Sequence, residues 1–188
     1  MDKNKKRNRL AVFGTVRILA LSAVLVAMSI VCGKYLAIRG GDVLRFSFEN
    51  LPILMAGIMF GPLVGMVVGV AADLIGCLMV GYAVNPLITL GAALIGTIGG
   101  LLWWLFRRLP YGARLILSVA AAHLLGSVAV KTVGLAAFYS MPLWQLMLWR
   151  LLNYIIVGGL EGVILYAVLK NKRIGSMMLK PRERRKPQ

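Results

Sequence analysis

The feature that most limits this chain is the scarcity of charge between Arg17 and Lys170, where long apolar runs follow one another with only short turns between them. A bilayer crossing takes roughly 20 apolar residues, so this stretch has room for six or seven crossings and none for a separate soluble domain. Of the 188 residues, 60% are hydrophobic and 15% charged, more apolar surface than one soluble core of this size needs. The chain is expected to be an all-α integral membrane protein. Its formal net charge of +16 would point to nucleic acid in a soluble protein, but here the cations sit almost entirely in tails and loops, where they orient a membrane protein and attract anionic lipid.

Gly and Pro divide the apolar stretch. Helix 1 is expected from Arg17 to Tyr35, as a retained helix and not a signal peptide, because the run lacks a clear small-residue cleavage site. The polar stretch Ala37 to Phe48 follows. Phe60-Gly61-Pro62 and Gly81 to Pro86 then separate helices 2, 3 and 4, the first of these starting at Glu49 and the last ending near Phe106. A basic turn, Arg107 to Gly112, leads into helix 5 (Ala113 to Tyr139), and Ser140-Met141-Pro142 leads into helix 6, which ends near Lys170. The organisation is thus a basic tail over 1–16, a six-helix transmembrane domain over 17–170, and a second basic tail over 171–188.

Helix 2 is short and carries Pro52, so its crossing rests on charge. With both termini cytoplasmic, the tail cations and Arg107, Arg108 and Arg114 share one side, while only Lys34, Arg39 and Arg45 lie outside. Six crossings satisfy the positive-inside rule and an odd number does not. Glycines at helical spacing (Gly57, Gly61, Gly65 and Gly69; Gly96 and Gly100; Gly158 and Gly162) predict close helix packing, and Ala20, Ala23 and Ala27 give helix 1 a similar small-residue face.

A polar group at membrane depth is costly and faces a cavity or a partner. Asp73, Lys131 and Arg150 are each expected roughly 10 to 12 Å below the outer end of their helices, with Asn153 nearly a turn deeper. Together with the loop bearing Arg39, Asp42 and Arg45 they outline an outward-opening pocket. Gln145, Trp149 and Asn153 share much of one face of helix 6. Whether or not Asp73 pairs with Lys131 or Arg150, one carboxylate cannot offset both cations, and a positive charge is left for a flat ligand bearing a carboxylate. Phe46, Phe48 and Trp149 are candidate stacking partners. His123 reads as a hydrogen-bonded core residue, Glu161 as bonded to a neighbouring helix, and Cys32 and Cys77 as small hydrophobes. No phosphate loop, metal-ligand cluster or nucleophile with a base is legible, so neither an enzyme nor a cofactor is expected.

Several stretches carry a likeness: Arg45 to Pro52, Ala56 to Pro62, Gly65 to Gly76 through Asp73, Asn85 to Ala92, and Arg150 to Tyr154. In these the chain resembles the substrate-binding (S) membrane subunits of energy-coupling factor (ECF) vitamin transporters, in particular the folate-type group. The resemblance implies a six-helix fold that binds its vitamin from outside and delivers it through a separate transmembrane coupling subunit and two ABC-type ATPases. It brings Asn85 into the substrate-binding set with Arg45, Phe46, Phe48, Asp73, Lys131, Trp149, Arg150 and Asn153. It also matches Ala23 and Ala27 to the Ala-x-x-x-Ala motif that meets the coupling subunit. Ala83-Val84-Asn85-Pro86 departs from the aromatic-Pro-Gly stretch of folate-type members. That leaves open pantothenate, riboflavin or a queuosine precursor as the vitamin, and a membrane enzyme or assembly factor as the other class of reading.

Overall fold

The computed structural model describes residues 16–40 and 44–171; the basic tails and Asp42 lie outside them, as do the side chains of Arg39 and Arg45. Seven α-helices follow in order: α1 (Val16–Ile30), α2 (Asn50–Phe60), α3 (Pro62–Val80), α4 (Pro86–Leu105), α5 (Tyr111–Ala122), α6 (Lys131–Tyr139) and α7 (Leu143–Lys170). A π-helical turn, Val31–Tyr35, extends α1, and a longer π segment, His123–Val130, joins α5 to α6. The polar stretch after helix 1 forms a small antiparallel hairpin, β1 (Ile38–Gly40) with β2 (Leu44–Phe46), in which Arg39 pairs with Arg45.

Five rods are long and apolar enough to cross a membrane: Val16–Tyr35, Pro62–Val80, Pro86–Leu105, Tyr111–Phe138 and Leu143–Lys170. Their outward faces carry many exposed large apolar side chains, among them Leu78, Ile116, Leu152, Ile155 and Val163. A molecule apolar on the outside as well as within matches lipid as its solvent. The sixth rod, α2, has 11 residues, about half the length that spans the hydrocarbon core. It is nevertheless the most enclosed: Pro52, Ile53, Leu54, Ala56, Gly57 and Ile58 are all buried. The core gathers around it from α3 (Val64, Val68), α4 (Ala92, Ile95), α5 (Leu115, Val119, Ala122) and α7 (Leu165).

Glycine decides how α2, α3 and α4 meet. Gly61 turns the chain between α2 and α3 with φ of 104°, where a side chain would be strained. A Cβ on Gly96 would run into the Gly65 backbone, and one on Gly57 would run into the Gly96 carbonyl, so the helices touch backbone to backbone. Gly162, in contrast, has nothing within 4 Å of a built Cβ, and its place in the small-residue pattern serves no packing among the described residues.

Candidate functional site

The only buried lysine among the described residues, Lys131, begins α6 just past the π segment. Its Nζ lies 3.0 Å from Glu49 Oε1 and donates to Asn50 Oδ1 at 3.3 Å. Glu49 and Asn50 open α2, and the Glu49 carbonyl accepts from the Ser29 hydroxyl at 2.7 Å, which ties the start of α2 to α1. Gly91 on α4 leaves the space that the lysine stem fills, since a Cβ there would overlap the Lys131 side chain.

Asp73 faces the same spot from α3. It accepts from the Thr89 hydroxyl at 2.6 Å and, with Glu49, Lys131, Lys34 and Ser29, lines a small cavity closed by Ile30, Ile53, Ala72 and Ala92. Lys131 and Asp73 thus share a cavity, but the ion partner of Lys131 is Glu49. The sequence left the partner of Asp73 open between Lys131 and Arg150; α2 supplies Lys131 with a different carboxylate, one that sequence reading had placed at a helix start. Cys77 also departs from its reading as a small hydrophobe, because its sulfur lies 3.7 Å from Lys34 Nζ and 4.0 Å from Asp73 Oδ1. Lys34 caps the group with its ammonium over the Tyr82 ring, 5.5 Å from the centroid.

Arg150 approaches from α7. One guanidinium nitrogen donates to the Ser127 carbonyl and to the Tyr154 hydroxyl, each at 3.2 Å, while its buried Nε has no partner among the described residues. Ser127 is the junction, because its hydroxyl in turn receives the Asn50 amide at 3.4 Å. Lys131, Asn50, Ser127 and Arg150 therefore form one connected polar group, which His123 and Glu161 extend through the Ser127 hydroxyl. Its cations lie in an enclosure where an anion gains from charge-assisted hydrogen bonds.

The other expected residues divide. Asn153 is buried on α7. Asn85 caps α4, its Oδ1 accepting from Leu87 N at 3.0 Å and its amide donating to the Gly134 carbonyl at 2.9 Å, so both ends of the side chain are engaged within the protein. Phe46 and Phe48 flank the hairpin exit, half-buried and exposed respectively. Trp149, one turn before buried Asn153 on α7, is 53% exposed. Ala23 and Ala27 lie exposed along α1. His123 and Glu161 find each other, Nε2 to Oε2 at 2.7 Å. The residues sequence reading missed are Ser29, Lys34, Glu49, Asn50, Thr89, Ser127 and Tyr154; the one available signal was Glu49-Asn50, a charged and an amide residue opening an otherwise apolar helix.

A wider cleft lies elsewhere, a groove of about 710 Å³ between α5 and α7 lined by residues such as Leu115, Ile116, Val119, Ile155 and Val163. Its walls are almost wholly apolar and carry no charge besides the buried His123, so it lacks the convergent polar groups that fix an ionic ligand.

With this geometry in hand, comparison with known proteins is specific. The family profile described as "ECF transporter, substrate-specific component" matches residues 17–176. The chain is 25% identical over 156 residues to a protein of Clostridium novyi (strain NT) described as "Folate transporter FolT", the match covering 82% of this chain and 89% of the relative. Among solved structures it resembles one described as "Crystal structure of FolT bound with folic acid", with a TM-score of 0.66 and 24% identity over 80% of this chain and 90% of that one.

Proposed function

Because the chain belongs to the family of ECF transporter substrate-specific components, we propose that it is the vitamin-binding membrane subunit of an ECF-type importer for folate or a folate-like compound. The folate part is supported by likeness to the Clostridium novyi folate transporter. The observation that carries the chemistry is Arg150, whose buried Nε has no partner among the described residues, beside a cluster already anchored by Lys131 and Asn50. A pteridine-type ring with carboxylates needs such fixed donors at its edge and flat apolar surface against its faces.

The polar cavity encloses only about 20 Å³, the scale of a single water, against the roughly 300–1,000 Å³ of vitamin-sized sites. A vitamin therefore enters by displacing part of the wall. The hairpin between α1 and α2 carries Arg45, Phe46 and Phe48 and lies next to Glu49 of the cavity wall. In this reading the hairpin opens to the outside, Arg45, Lys131 and Arg150 meet the ligand's anionic and polar edges, and Phe46, Phe48 and Trp149 close on its ring. Asp73, Asn85 and Asn153 complete the substrate-binding set by holding the wall and supplying hydrogen bonds.

Delivery uses a separate transmembrane coupling subunit with two ABC-type ATPases, docked on the exposed Ala23 and Ala27 face of α1, where small side chains permit close helix approach. In the cell membrane the hairpin faces outward and both basic termini lie in the cytoplasm, with α2 completing the sixth, half-length crossing. Isothermal titration of the purified protein with folate, pantothenate and riboflavin tests the reading. Heat with folate is expected; binding of another vitamin and none of folate would reject folate while sparing the importer.

A further inference from the structure

We propose that His123 and Glu161 are positioning residues of this site, the inner end of a one-way hydrogen-bond chain that sets which edge of the Asn50 amide faces Lys131 and the ligand. The ligand-facing part rests on the vitamin-site reading above; the chain itself does not.

The direction follows from which groups can donate. A lysine ammonium only donates, so the Asn50 atom 3.3 Å from Lys131 Nζ is the carbonyl oxygen, Oδ1. The Asn50 amide nitrogen then faces Ser127 Oγ at 3.4 Å and donates to it. That leaves the Ser127 hydroxyl hydrogen to place, and His123 Nδ1 lies 3.4 Å away. If Nδ1 accepts it, the neutral imidazole carries its proton on Nε2, 2.7 Å from Glu161 Oε2, which accepts. The reverse arrangement, a protonated Glu161 donating to His123 and His123 to Ser127, would make Ser127 accept from both sides and leave its own hydroxyl hydrogen buried without an acceptor. Ser127 is wholly buried, so that loss is costly. The one-way chain avoids it.

The backbone is shaped to hold this chain. His123 and Ser127 sit four residues apart on the π segment, whose widened turn exposes the Ser127 carbonyl to Arg150. Helix α7 clamps the segment along one face: Arg150 on the Ser127 carbonyl, Tyr154 stacked on the imidazole with centroids 5.1 Å apart, Gly158 giving it room, and Glu161 holding its Nε2. Glu161 is fully buried, and its second oxygen has no partner among the described residues. Among the described residues, His123 is therefore the one hydrogen-bond partner of this carboxyl.

His123 is the only histidine in the sequence, so histidine labelled with nitrogen-15 reports on it alone once any affinity tag is removed. The spectrum should show a neutral ring protonated on Nε2. Ser127→Ala should shift the Nδ1 signal, and so should Asn50→Ala, although Asn50 has no contact with the ring. Asn50→Asp gives the same reading with little change in shape, since the new oxygen draws the Ser127 hydroxyl away from Nδ1. A proton on Nδ1, or an Nδ1 signal indifferent to changes at Asn50 and Ser127, would overturn the proposal. In ligand titration, Glu161→Gln keeps an acceptor and should retain folate affinity within about twofold, whereas Glu161→Leu should lose about tenfold. Equal affinity in the two variants would also overturn it. Failure of the unaltered protein to bind folate would instead refute the functional reading, the spectrum still deciding the chain.

Discussion

Lys131 and Glu49, 82 residues apart in sequence, meet at 3.0 Å and join the start of α6 to the start of α2. The lysine side chain is 4% exposed and the glutamate 22%, so neither charge is well served by solvent. Removing one partner of such a buried pair costs about 3 to 5 kcal/mol, while removing both can be nearly neutral. Lys131→Met should therefore lower the unfolding temperature in detergent, and adding Glu49→Gln should restore much of it. A double variant as unstable as the single one would show that the pair is not what Lys131 contributes.

Arg150→Ala should weaken folate binding tenfold to a hundredfold, since a charge-assisted contact is worth roughly 1.5 to 3 kcal/mol. Arg108, exposed in the turn between α4 and α5, serves as the control, and its alanine variant should bind normally. Titration calorimetry reads both. Full affinity in an Arg150→Ala, Asn153→Ala double variant would mean the site lies elsewhere.

Gly96→Ala should cost about 1 to 3 kcal/mol of stability, because the new methyl meets the Gly65 backbone and two helices must separate. Gly162→Ala, with open space at its Cβ, should be neutral or slightly stabilising. Thermal unfolding of the pair distinguishes packing glycines from incidental ones.

Ala27→Trp and Ala23→Trp should leave folate binding intact and abolish co-purification with the coupling subunit, as each places a large side chain on an exposed face of α1 and neither residue lines the polar cavity. Normal recovery of the complex with both substitutions would remove α1 from that interface.

For topology, Cys32 and Cys77 are first replaced and single cysteines introduced near Asp42 and Arg184. A membrane-impermeant reagent added to intact cells should label the first and spare the second. Labelling only the second would reverse the orientation, and labelling both would end the six-crossing arrangement.

The turns at Gly61-Pro62, at Gly81 to Pro86 and at Met141-Pro142 were legible because glycine and proline act on the backbone locally, whatever surrounds them. The helix bounds follow: helix 1 was expected to end at Tyr35 and helix 6 at Lys170, and the structure ends them there. The π segment inside the fifth rod was not legible, since His123 to Val130 has the composition of ordinary apolar helix. Its widened turn is stabilised by partners on α2 and α7 that lie far away in sequence.

The sequence by itself determined the solvent of this protein, its helical class and the list of charges that the membrane makes expensive, because hydropathy and helix breaking are properties of single residues and short runs. Tertiary structure alone decided which charges meet. Asp73, Lys131 and Arg150 were placed at similar depth with their pairing open, and helix rotation and the enclosed position of α2 bring Glu49 to Lys131, with Asp73 turned to Thr89 and His123 to Glu161. Depth along a helix is fixed by counting residues. The angle at which a side chain leaves the helix toward a particular neighbour depends on how every other helix packs, and here on glycines that let three backbones touch.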